Sequence, residues 1–458
     1  MSNSKTSLVS VNPFNGETLK NFDELSPAEI TAAIARAHEA FPAWRDLSFS
    51  ERAAVLKEVA QLFRDRDKDL QHLMAVETGK QLVFGAWETN ICAEIFDYYA
   101  DESERILAPK KLSTRDGEGT LIYQPLGVVY GIMPWNGPMY QPARFTAPNL
   151  MAGNVVLIKH ASNCPQVAEA FEQLLHDAGV PEGVFTNLLV SSGNASMIID
   201  DPRVRGISFT GSNAGGARVA EQAGRNVKKT VMELGGADPF IVLEDADLEK
   251  TIDHFVEAKL GNAGQVCIAP KRIILTAAIA QQFIDGVAKK FSEREPGDPL
   301  DESTGYGPLC SEDAAKKLED QIQRSIDAGA KLVFGGKRDG AFIQPTILTD
   351  IPPGCPAAEE ELFGPVACMF VVPDEAAAVA MANDSEFGLG SSVFTQDHER
   401  GQRVAEQLEA GTAFVNNVSW TYASMPMGGV KKSGYGRELG ELGIKEFVNE
   451  KLIRHFDL

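Results

Sequence analysis

A glutamate and a cysteine, each beside a glycine turn, are the residues of this sequence best suited to covalent chemistry. Glu233 precedes a Gly-Gly pair, and Cys267 follows a Gly-Gln turn. The strand-like run and the helix-like run between them would return the chain to one cleft. There a carboxylate can act as a general base and a thiol as a nucleophile. The pair therefore predicts covalent catalysis on a carbonyl carbon.

An asparagine at the end of another strand-like run completes this chemistry. The amide of Asn136 can donate a hydrogen bond to an oxyanion, and the backbone N–H of Cys267 is the natural second donor. Plainer alternatives exist, since a free cysteine is often a small buried core residue and Glu233 can be a solvated charge. The glycine-rich loop favours a functional Cys267, because loops expose their side chains.

Two further strand ends carry residues suited to a dinucleotide. Gly211 and Ser212, with Gly216 following, stand between the strand ending at Phe209 and a helix. Glycines at this place let a phosphate approach the backbone and the helix N-terminus. Lys159 ends a second strand, where it can reach a ribose hydroxyl or a phosphate. Each signal has an ordinary alternative, a glycine turn in one case and a solvated lysine in the other.

Composition narrows the class of protein. With 458 residues, two or three domains are expected, and 44% apolar residues exclude a disordered chain. The net charge of −21 disfavours nucleic acid and anionic membranes as partners. The six Cys and seven His lack zinc-site spacing, so no metal site is expected. No apolar run reaches the roughly 18 residues of a membrane span, and the N-terminus lacks a signal-peptide core. A cytoplasmic protein is the prediction.

The hydrophobic pattern predicts an α/β protein. The first hundred residues read as helices that start at Ser26, at Ser50 and after Lys80. From residue 113 onward apolar strands alternate with helices, which is typical of a parallel sheet covered on both faces. The tail at 451–456 alternates like an edge strand. With residues 108–124 it could form an arm that pairs across a subunit interface, and the alternative is a tail docked on its own subunit.

Seven motifs in order make the chain resemble an NAD(P)-dependent aldehyde dehydrogenase along essentially its whole length. They are Pro134-Trp135-Asn136, Lys159, Phe209-Thr210-Gly211-Ser212, Glu233-Leu234-Gly235-Gly236, Gly264-Gln265-Val266-Cys267, Glu361-Leu362-Phe363-Gly364-Pro365 and Lys432-Ser433-Gly434-Tyr435-Gly436-Arg437-Glu438. The resemblance implies that Cys267 attacks the aldehyde, Asn136 holds the oxyanion and Glu233 activates water on the thioester. It also implies the residues that bind the cofactor: Trp135, Lys159, Ser162, Gly211, Ser212, Leu234, Glu361 on the nicotinamide-side ribose, and Phe363.

The resemblance also implies an architecture. A Rossmann-like cofactor domain would take residues 1–107 and 125–235, and an α/β catalytic domain would take residues 236–433. Residues 108–124 and 434–458 would form a small β arm for oligomerisation. We expect a homodimer or a homotetramer. Glu438 resembles a family residue on a proton path behind the site.

Finer details resemble bacterial succinate-semialdehyde dehydrogenases. Ser162 stands where relatives selective for NAD often have a glutamate, and a glutamate there would repel a 2′-phosphate. We therefore expect the protein to accept NADP as well as NAD. Arg144 stands where relatives acting on succinate semialdehyde place an arginine that binds the substrate carboxylate. Its alternative is a structural arginine. Other candidates for hydrogen bonds to that carboxylate are Thr421, Tyr422 and Ser424.

Three departures keep other functions open. Gly137 replaces a large aromatic residue, which suggests a wider substrate tunnel. Gly261 replaces a second arginine of some relatives, and Phe145 replaces a lysine linked to the proton path. A broad-specificity dehydrogenase of aliphatic or aromatic aldehydes is therefore the main alternative. A thiol esterase and an inactive binding protein are further hypotheses from other classes.

Overall fold

The N-terminal part of the chain is a β hairpin, four helices and a β ribbon in the computed structural model, which describes residues 7–456. Residues 1–6, where the sequence shows no signal-peptide core, and residues 457–458 of the predicted arm lie outside the described residues. The elements are β1 (Ser7–Val11), β2 (Thr18–Asp23), α1 (Pro27–Arg45), α2 (Phe49–Asp65), α3 (Asp67–Thr78), α4 (Leu82–Ile106), β3 (Lys110–Thr114) and β4 (Gly117–Pro125).

Capping residues set the start of the first two helices. Ser26 caps α1 as predicted, and its side chain exchanges hydrogen bonds with Glu29. The prediction that the second helix starts at Ser50 is wrong, because Ser48 is the N-cap of α2. The carboxylate of Glu51 accepts from the Ser48 backbone N–H at 2.7 Å, which completes the capping box. The β1–β2 hairpin and α3 were not predicted.

A sheet of six strands follows, and it carries most of the predicted site. Its chain segment contains β5 (Val128–Ile132), α5 (Tyr140–Ala152), β6 (Val155–Lys159), α6 (Pro165–Asp177), β7 (Phe185–Asn187), α7 (Ser192–Asp200), β8 (Val204–Thr210), α8 (Asn213–Arg225) and β9 (Lys229–Glu233). Strands β5 to β9 are parallel, in the order β9-β8-β5-β6-β7. Asn136 and Glu233 therefore both lie at the carboxyl edge of this sheet, where ligands bind.

A second sheet, of seven strands, belongs to residues 239–415. This segment contains β10 (Pro239–Val242), α9 (Leu248–Leu260), β11 (Arg272–Thr276), α10 (Ala280–Ser292), α11 (Glu312–Asp327), β12 (Lys331–Phe334), β13 (Arg338–Asp339), β14 (Phe342–Ile343), β15 (Thr346–Thr349), α12 (Pro356–Glu359), β16 (Val366–Val372), α13 (Glu375–Asn383), β17 (Ser392–Phe394), α14 (His398–Gln407) and β18 (Phe414–Val415). Its order is β12-β15-β16-β11-β10-β17-β18, and only β12 is antiparallel to its neighbour. Cys267 lies between α9 and β11.

The last elements are β19 (Gly434–Tyr435), α15 (Gly440–Gly443) and β20 (Val448–Arg454). Although residues 434–435 were assigned to the arm, β19 pairs with β9 in the first sheet, with Gly434 opposite Glu233. β20 pairs with β4 of the same chain, from Val448 opposite Pro125 to Arg454 opposite Gly119. This pairing lies within one chain, as in the alternative in which the tail docks on its own subunit. β3 and β20 are the outer strands of the β20-β4-β3 sheet.

Candidate active site

The loop before Cys267 has an unusual backbone. Asn262, Ala263 and Gly264 have φ values of 49°, 52° and 73°, so three successive residues adopt the left-handed conformation. For Ala263 this costs roughly 1–2 kcal/mol, which the surrounding contacts must offset. A Cβ on Gly264 would lie 2.3 Å from the carbonyl oxygen of Gly364. Only glycine fits there, which explains the glycine of the Gly-Gln turn.

The side chain of Gln265 fixes the shape of this loop. Its Nε2 donates to the carbonyl of Asn262 at 3.0 Å, and its Oε1 accepts from the backbone N–H of Cys310 at 2.8 Å. Gln265 is almost fully buried, so these bonds are shielded from water. Cys267, two residues later, is only partly buried. The loop therefore presents the predicted nucleophile on a rigid support.

Glu233 ends β9 and is 2% exposed. Its Oε1 has no hydrogen-bond partner within the described structure. Burial raises the pKa of Glu233 to about 8, an increase that the charge of Glu438 reinforces and that of Arg144 opposes. A Cβ on Gly428 would lie 3.0 Å from Glu233 Oε1, so a glycine leaves room beside the carboxylate. Such a carboxylate is poised to exchange protons near neutral pH.

The turn after Glu233 touches the cysteine loop. A Cβ on Gly236 would lie 2.8 Å from the carbonyl oxygen of Cys267, so the two segments meet at van der Waals distance. Burial raises the pKa of the Cys267 thiol to about 11. The charges of Lys271 and Arg144 oppose this increase, and the charge of Glu233 adds to it. The structure thus brings the predicted base and nucleophile together.

Asn136 joins the two sheets. Its Nδ2 donates to the carbonyl of Gln265 at 3.0 Å, two residues before Cys267. Its own carbonyl accepts from Lys80 Nζ at 2.8 Å and from Asn262 Nδ2 at 3.2 Å. Since an amide nitrogen has two hydrogens, one remains available for a ligand beside the loop. Asn136 therefore lies beside the Cys267 loop with one donor free, and its role in an oxyanion hole stays a prediction.

A buried ion pair that the sequence reading missed supports Asn136. Lys80 and Glu88 form it, at 3% and 0% side-chain exposure. Glu88 Oε1 also accepts from the backbone N–H groups of Met139 and Tyr140, at 2.7 and 2.9 Å, where α5 begins. A carboxylate at a helix N-terminus satisfies its free N–H groups. The signal in the sequence was a charged residue within the apolar stripe of α4.

Arg144 is fully buried and pairs with protein carboxylates. Its Nε forms an ion pair with Glu438, and its Nη2 lies 3.9 Å from Glu233 Oε2. Nη1 donates to the hydroxyl of Tyr140 at 3.1 Å, which in turn lies 2.7 Å from Thr421 Oγ1. The sequence predicted that Arg144 faces the substrate. In the structure its guanidinium is instead enclosed by protein groups. Binding of a substrate carboxylate by Arg144 stays a prediction.

The other predicted substrate contacts lie on a more exposed segment. Ser424 and Tyr422 are exposed, whereas Thr421 is buried. Gly137 is buried, and a Cβ there would meet Gln141 Cγ at 3.3 Å and Tyr140 Cδ1 at 3.4 Å. The side chains of Gln141 and Tyr140 therefore already lie close to Gly137. This packing gives no support to a wider tunnel at Gly137.

Five of the predicted cofactor residues lie at the carboxyl ends of β6, β8 and β9, namely Lys159, Ser162, Gly211, Ser212 and Leu234. Ser212 is the exposed N-cap of α8, and its side chain accepts from Gly215 N at 3.3 Å. A Cβ on Gly216 would lie 2.3 Å from Leu234 Cδ2, so the helix packs closely on the turn after β9. Gly211 is partly buried at the start of this turn. Backbone N–H groups at such a helix start can receive a phosphate.

Lys159 is the last residue of β6, and Ser162 follows this strand. Lys159 is 5% exposed, and its Nζ donates to the carbonyl of His160 at 3.0 Å. Burial lowers the pKa of Lys159, with the charge of Glu24 acting against it. The ammonium has three hydrogens, so it retains donors for a ligand hydroxyl or phosphate. Ser162 is exposed beside it.

Glu361 and Phe363 reach the same region from the second sheet. Glu361 Oε1 accepts from Gly236 N at 3.1 Å and lies 3.3 Å from Lys271 Nζ. The ring of Phe363 meets that of Trp135 edge to face, with centroids 5.9 Å apart. Residues from the segments of both sheets therefore meet in this region.

Comparison with known families decides the class. Residues 1–453 match the model of the aldehyde dehydrogenase family. The chain belongs to the aldehyde dehydrogenase family. The sequence resemblance to that family and the prediction of its α/β fold are both confirmed.

Several members of the family are similar over the full chain. A succinate-semialdehyde dehydrogenase (NADP(+)) of Deinococcus radiodurans is 48% identical over 451 residues, or 98% of this chain and 94% of the relative. A probable enzyme of the same name from Synechocystis is 42% identical, over 97% of this chain and 99% of the relative. The solved succinic semialdehyde dehydrogenase of Streptococcus pyogenes with NADP+ has a TM-score of 0.96 at 40% identity, covering 98% of this chain and 100% of that chain.

The fold of the family extends to other aldehydes. A betaine aldehyde dehydrogenase of Staphylococcus aureus in complex with NAD+ has a TM-score of 0.95 at 30% identity, over 99% of this chain and 92% of that chain. The fold alone therefore does not select the substrate.

Among residues 7–456, no cluster of three or more His, Cys, Asp and Glu side chains is arranged to hold a metal ion. Over the same residues, no helix is both long and apolar enough to cross a membrane.

Proposed function

We propose that this aldehyde dehydrogenase oxidises succinate semialdehyde to succinate, with NADP or NAD as the hydride acceptor. The main support for the reaction type is the contact between the strained Cys267 loop and the turn after Glu233. The substrate is supported by the relatives named succinate-semialdehyde dehydrogenase, which are 42–48% identical to this chain. NADP is supported by those names and by the exposed Ser162.

The first step forms a bond between the sulfur of Cys267 and the aldehyde carbon. The thiolate is the nucleophile, so the thiol must first lose its proton to the solvent. Negative charge then moves to the aldehyde oxygen. The free hydrogen of Asn136 Nδ2 and the backbone N–H of Cys267 stabilise that charge.

Loss of hydride from the resulting hemithioacetal leaves a thioester on Cys267. The nicotinamide, when bound, supplies the hydride acceptor. The residues at hand fit a dinucleotide: the N-terminus of α8 takes phosphate, Lys159 retains free donors, and Glu361 presents a carboxylate for a ribose hydroxyl. Trp135, Gly211, Leu234 and Phe363 would line the same path.

Hydrolysis of the thioester requires a base beside it. Glu233 takes a proton from water, which attacks the thioester carbon and releases the acid and the Cys267 thiol. The raised pKa of Glu233 makes this carboxylate a strong enough base while it still ionises near neutral pH. Glu438, which accepts from Ser208 Oγ at 3.1 Å and pairs with Arg144, is the proposed next group on a proton path.

Arg144 and Ser424 are the proposed partners of the substrate carboxylate. Arg144 connects to the exposed segment through Tyr140 and Thr421, so a ligand reaching this hydroxyl pair would sense the guanidinium. A guanidinium binds a carboxylate with up to two parallel hydrogen bonds. Ser424 can add a neutral donor from the exposed side.

One observation favours the alternative of a broad-specificity aldehyde dehydrogenase. The charge of Arg144 is already balanced by Glu438 inside the protein. A guanidinium that is neutralised in this way attracts a substrate carboxylate less strongly. In that case uncharged aliphatic or aromatic aldehydes would react as well as succinate semialdehyde.

A matrix of initial rates separates the two functions. NAD and NADP are each paired with succinate semialdehyde, butanal and benzaldehyde, and reduced nicotinamide is measured. A lead of about tenfold or more in kcat/KM for succinate semialdehyde supports the first function, since that is about 1.4 kcal/mol of selectivity. Equal values support the broad enzyme. Cys267→Ala is the control and should abolish all turnover, whereas ester hydrolysis without nicotinamide reduction would indicate the esterase.

Assembly and location are proposals of the same kind. β3 and β20 each have one edge without a partner in the described chain, and such edges are suited to pair with a second copy. We therefore propose a homodimer or homotetramer, which sedimentation of the purified protein would test against a monomer.

All six cysteines are free, and a thiol nucleophile needs a reducing compartment, so a cytoplasmic location is proposed. Cell fractionation would test it.

A further inference from the structure

We propose that Lys271 is a positioning residue that holds the Cys267 loop and favours the thiolate of Cys267. The proposal rests on the proposed role of Cys267 as a nucleophile. The ammonium of Lys271 donates to the carbonyls of Cys267 at 2.7 Å and Val266 at 3.0 Å, and it lies 3.4 Å from that of Ala269. One side chain thus gathers three carbonyls of the loop around a single positive charge.

The same ammonium ties the loop to the cofactor side of the cleft. Lys271 Nζ lies 3.3 Å from Glu361 Oε1, the oxygen that also accepts from Gly236 N at 3.1 Å. The backbone N–H of Lys271 donates to the carbonyl of Asp238 at 3.1 Å. Lys271 therefore connects the Cys267 loop, Glu361 and the segment after Glu233. Its side chain is 4% exposed, so water screens these contacts little.

Several charged or titratable groups act on the Cys267 thiol. The cations Lys271 and Arg144 favour the thiolate, whereas Glu233 and Glu361 disfavour it. Tyr140 is also close enough to interact with the thiol: burial raises the pKa of the Tyr140 hydroxyl, and the charge of a Cys267 thiolate adds to that increase. Arg144 and Lys271 each pair with a carboxylate, that of Glu438 and that of Glu361, but Lys271 also donates to the carbonyl of Cys267 itself. Lys271 is therefore the cation best placed to stabilise negative charge on sulfur.

A purely structural role for Lys271 would involve the hydrogen bonds and not the charge. Two neutral substitutions separate the two roles. Lys271→Gln keeps a side-chain donor for the loop carbonyls but removes the charge, and Lys271→Met removes both. Lys271→Arg keeps the positive charge, so the thiolate of Cys267 should be as favourable in this variant as in the wild type. Lys228→Met is a matched control, because Lys228 donates to the carbonyls of Ile199 and Asp201 in the other sheet's domain.

The experiment measures the rate at which iodoacetamide alkylates Cys267 as a function of pH, with the site read by peptide mass spectrometry. Alkylation follows the thiolate fraction. We expect Lys271→Gln and Lys271→Met to raise the apparent pKa of the thiol by about one unit, which slows alkylation about tenfold at a pH below the pKa. Lys271→Arg and Lys228→Met should keep the wild-type profile.

Three results would overturn the proposal. The first is a wild-type alkylation profile for both neutral variants. The second is an alkylation rate lowered by the same factor at every pH. The third is a Lys271→Met variant that fails to fold while Lys271→Gln keeps the wild-type profile. The last two would each assign Lys271 a structural role alone. The assay uses neither aldehyde nor nicotinamide. A shifted profile in a protein that oxidises no aldehyde would therefore support Lys271 and reject the proposed function.

Discussion

Arg144 Nη2 lies 3.9 Å from Glu233 Oε2, and both side chains are withdrawn from solvent. The arginine expected to bind substrate is thus in contact with the expected general base. Its position between Glu233 and Glu438 gives it two testable roles. It can bind a substrate carboxylate, or it can set the ionisation of the base.

Arg144→Ala distinguishes these roles. If Arg144 binds the substrate carboxylate, KM for succinate semialdehyde should rise about tenfold or more while KM for butanal stays, since a charged hydrogen bond contributes about 1.5–3 kcal/mol. Steady-state kinetics with both aldehydes measures this difference. Arg203→Ala is the control, because Arg203 pairs with Asp201 away from the site. Equal effects on both aldehydes would contradict the carboxylate role.

Glu233→Gln should slow turnover by about 10²–10⁴ through loss of the base, and leave a first burst of reduced nicotinamide. In the wild type, Glu233 must be ionised to accept a proton. Because the pKa of Glu233 is raised to about 8, kcat should climb as pH rises toward that value and level off above it. Stopped-flow traces and a pH series of kcat measure both effects. A variant that retained the wild-type pH dependence would exclude Glu233 as the titrating base.

Ser162→Glu should shift the cofactor preference toward NAD. A carboxylate at this exposed position would repel the 2′-phosphate of NADP and accept from the ribose hydroxyl of NAD. We expect kcat/KM for NADP to fall about tenfold or more with that for NAD little changed, since each tenfold is about 1.4 kcal/mol. Asn163→Glu places the same charge one residue away and is the matched control. A similar loss of NADP activity in both variants would indicate a general field effect.

Asn136→Ala should lower kcat by about 10²–10³ by removing an oxyanion donor. KM should change little, because the oxyanion forms only after attack. Asn136→Asp, of equal size but negative, should be at least as slow. Single-turnover formation of reduced nicotinamide measures the step directly. An unchanged single-turnover rate in Asn136→Ala would remove Asn136 from the oxyanion hole.

Lys259→Met should stabilise the protein. Lys259 is fully buried, and its Nζ donates to the carbonyl of Pro270 at 3.0 Å. Burial lowers the pKa of Lys259 to about 7 from its ordinary 10.5, so the folded state holds fewer protons than the unfolded state between these values. Stability of the wild type therefore rises with pH in that window.

The gain in Tm from Lys259→Met should accordingly be largest below about pH 7 and shrink toward about pH 10. Thermal unfolding at several pH values measures it. Lys331→Met, at an exposed position of β12, is the control and should show no such trend. A constant difference in Tm across the pH range would contradict a buried, titrating Lys259.

Local patterns were sufficient to predict most strands and helices. Lys331–Phe334 and Glu375–Asn383 have the predicted bounds, because apolar periodicity and flanking turn residues act over short distances. The start of α2 was missed by two residues, since Ser48 and Ser50 both suit an N-cap and only the position of Glu51 separates them. The pairing of Gly434 with Glu233 was also missed. Two-residue strands carry too little pattern to be predicted.

The sequence by itself determined the family and named Cys267, Glu233 and Asn136, because their motifs require particular side chains in a particular order. Only the tertiary structure decided their surroundings. Lys80, Glu88 and Lys271 became visible as supports of the site through contacts that link distant segments. Arg144 met Glu438 for the same reason. Burial, charge pairing and pKa depend on what packs around a side chain in space, and linear order does not contain that information.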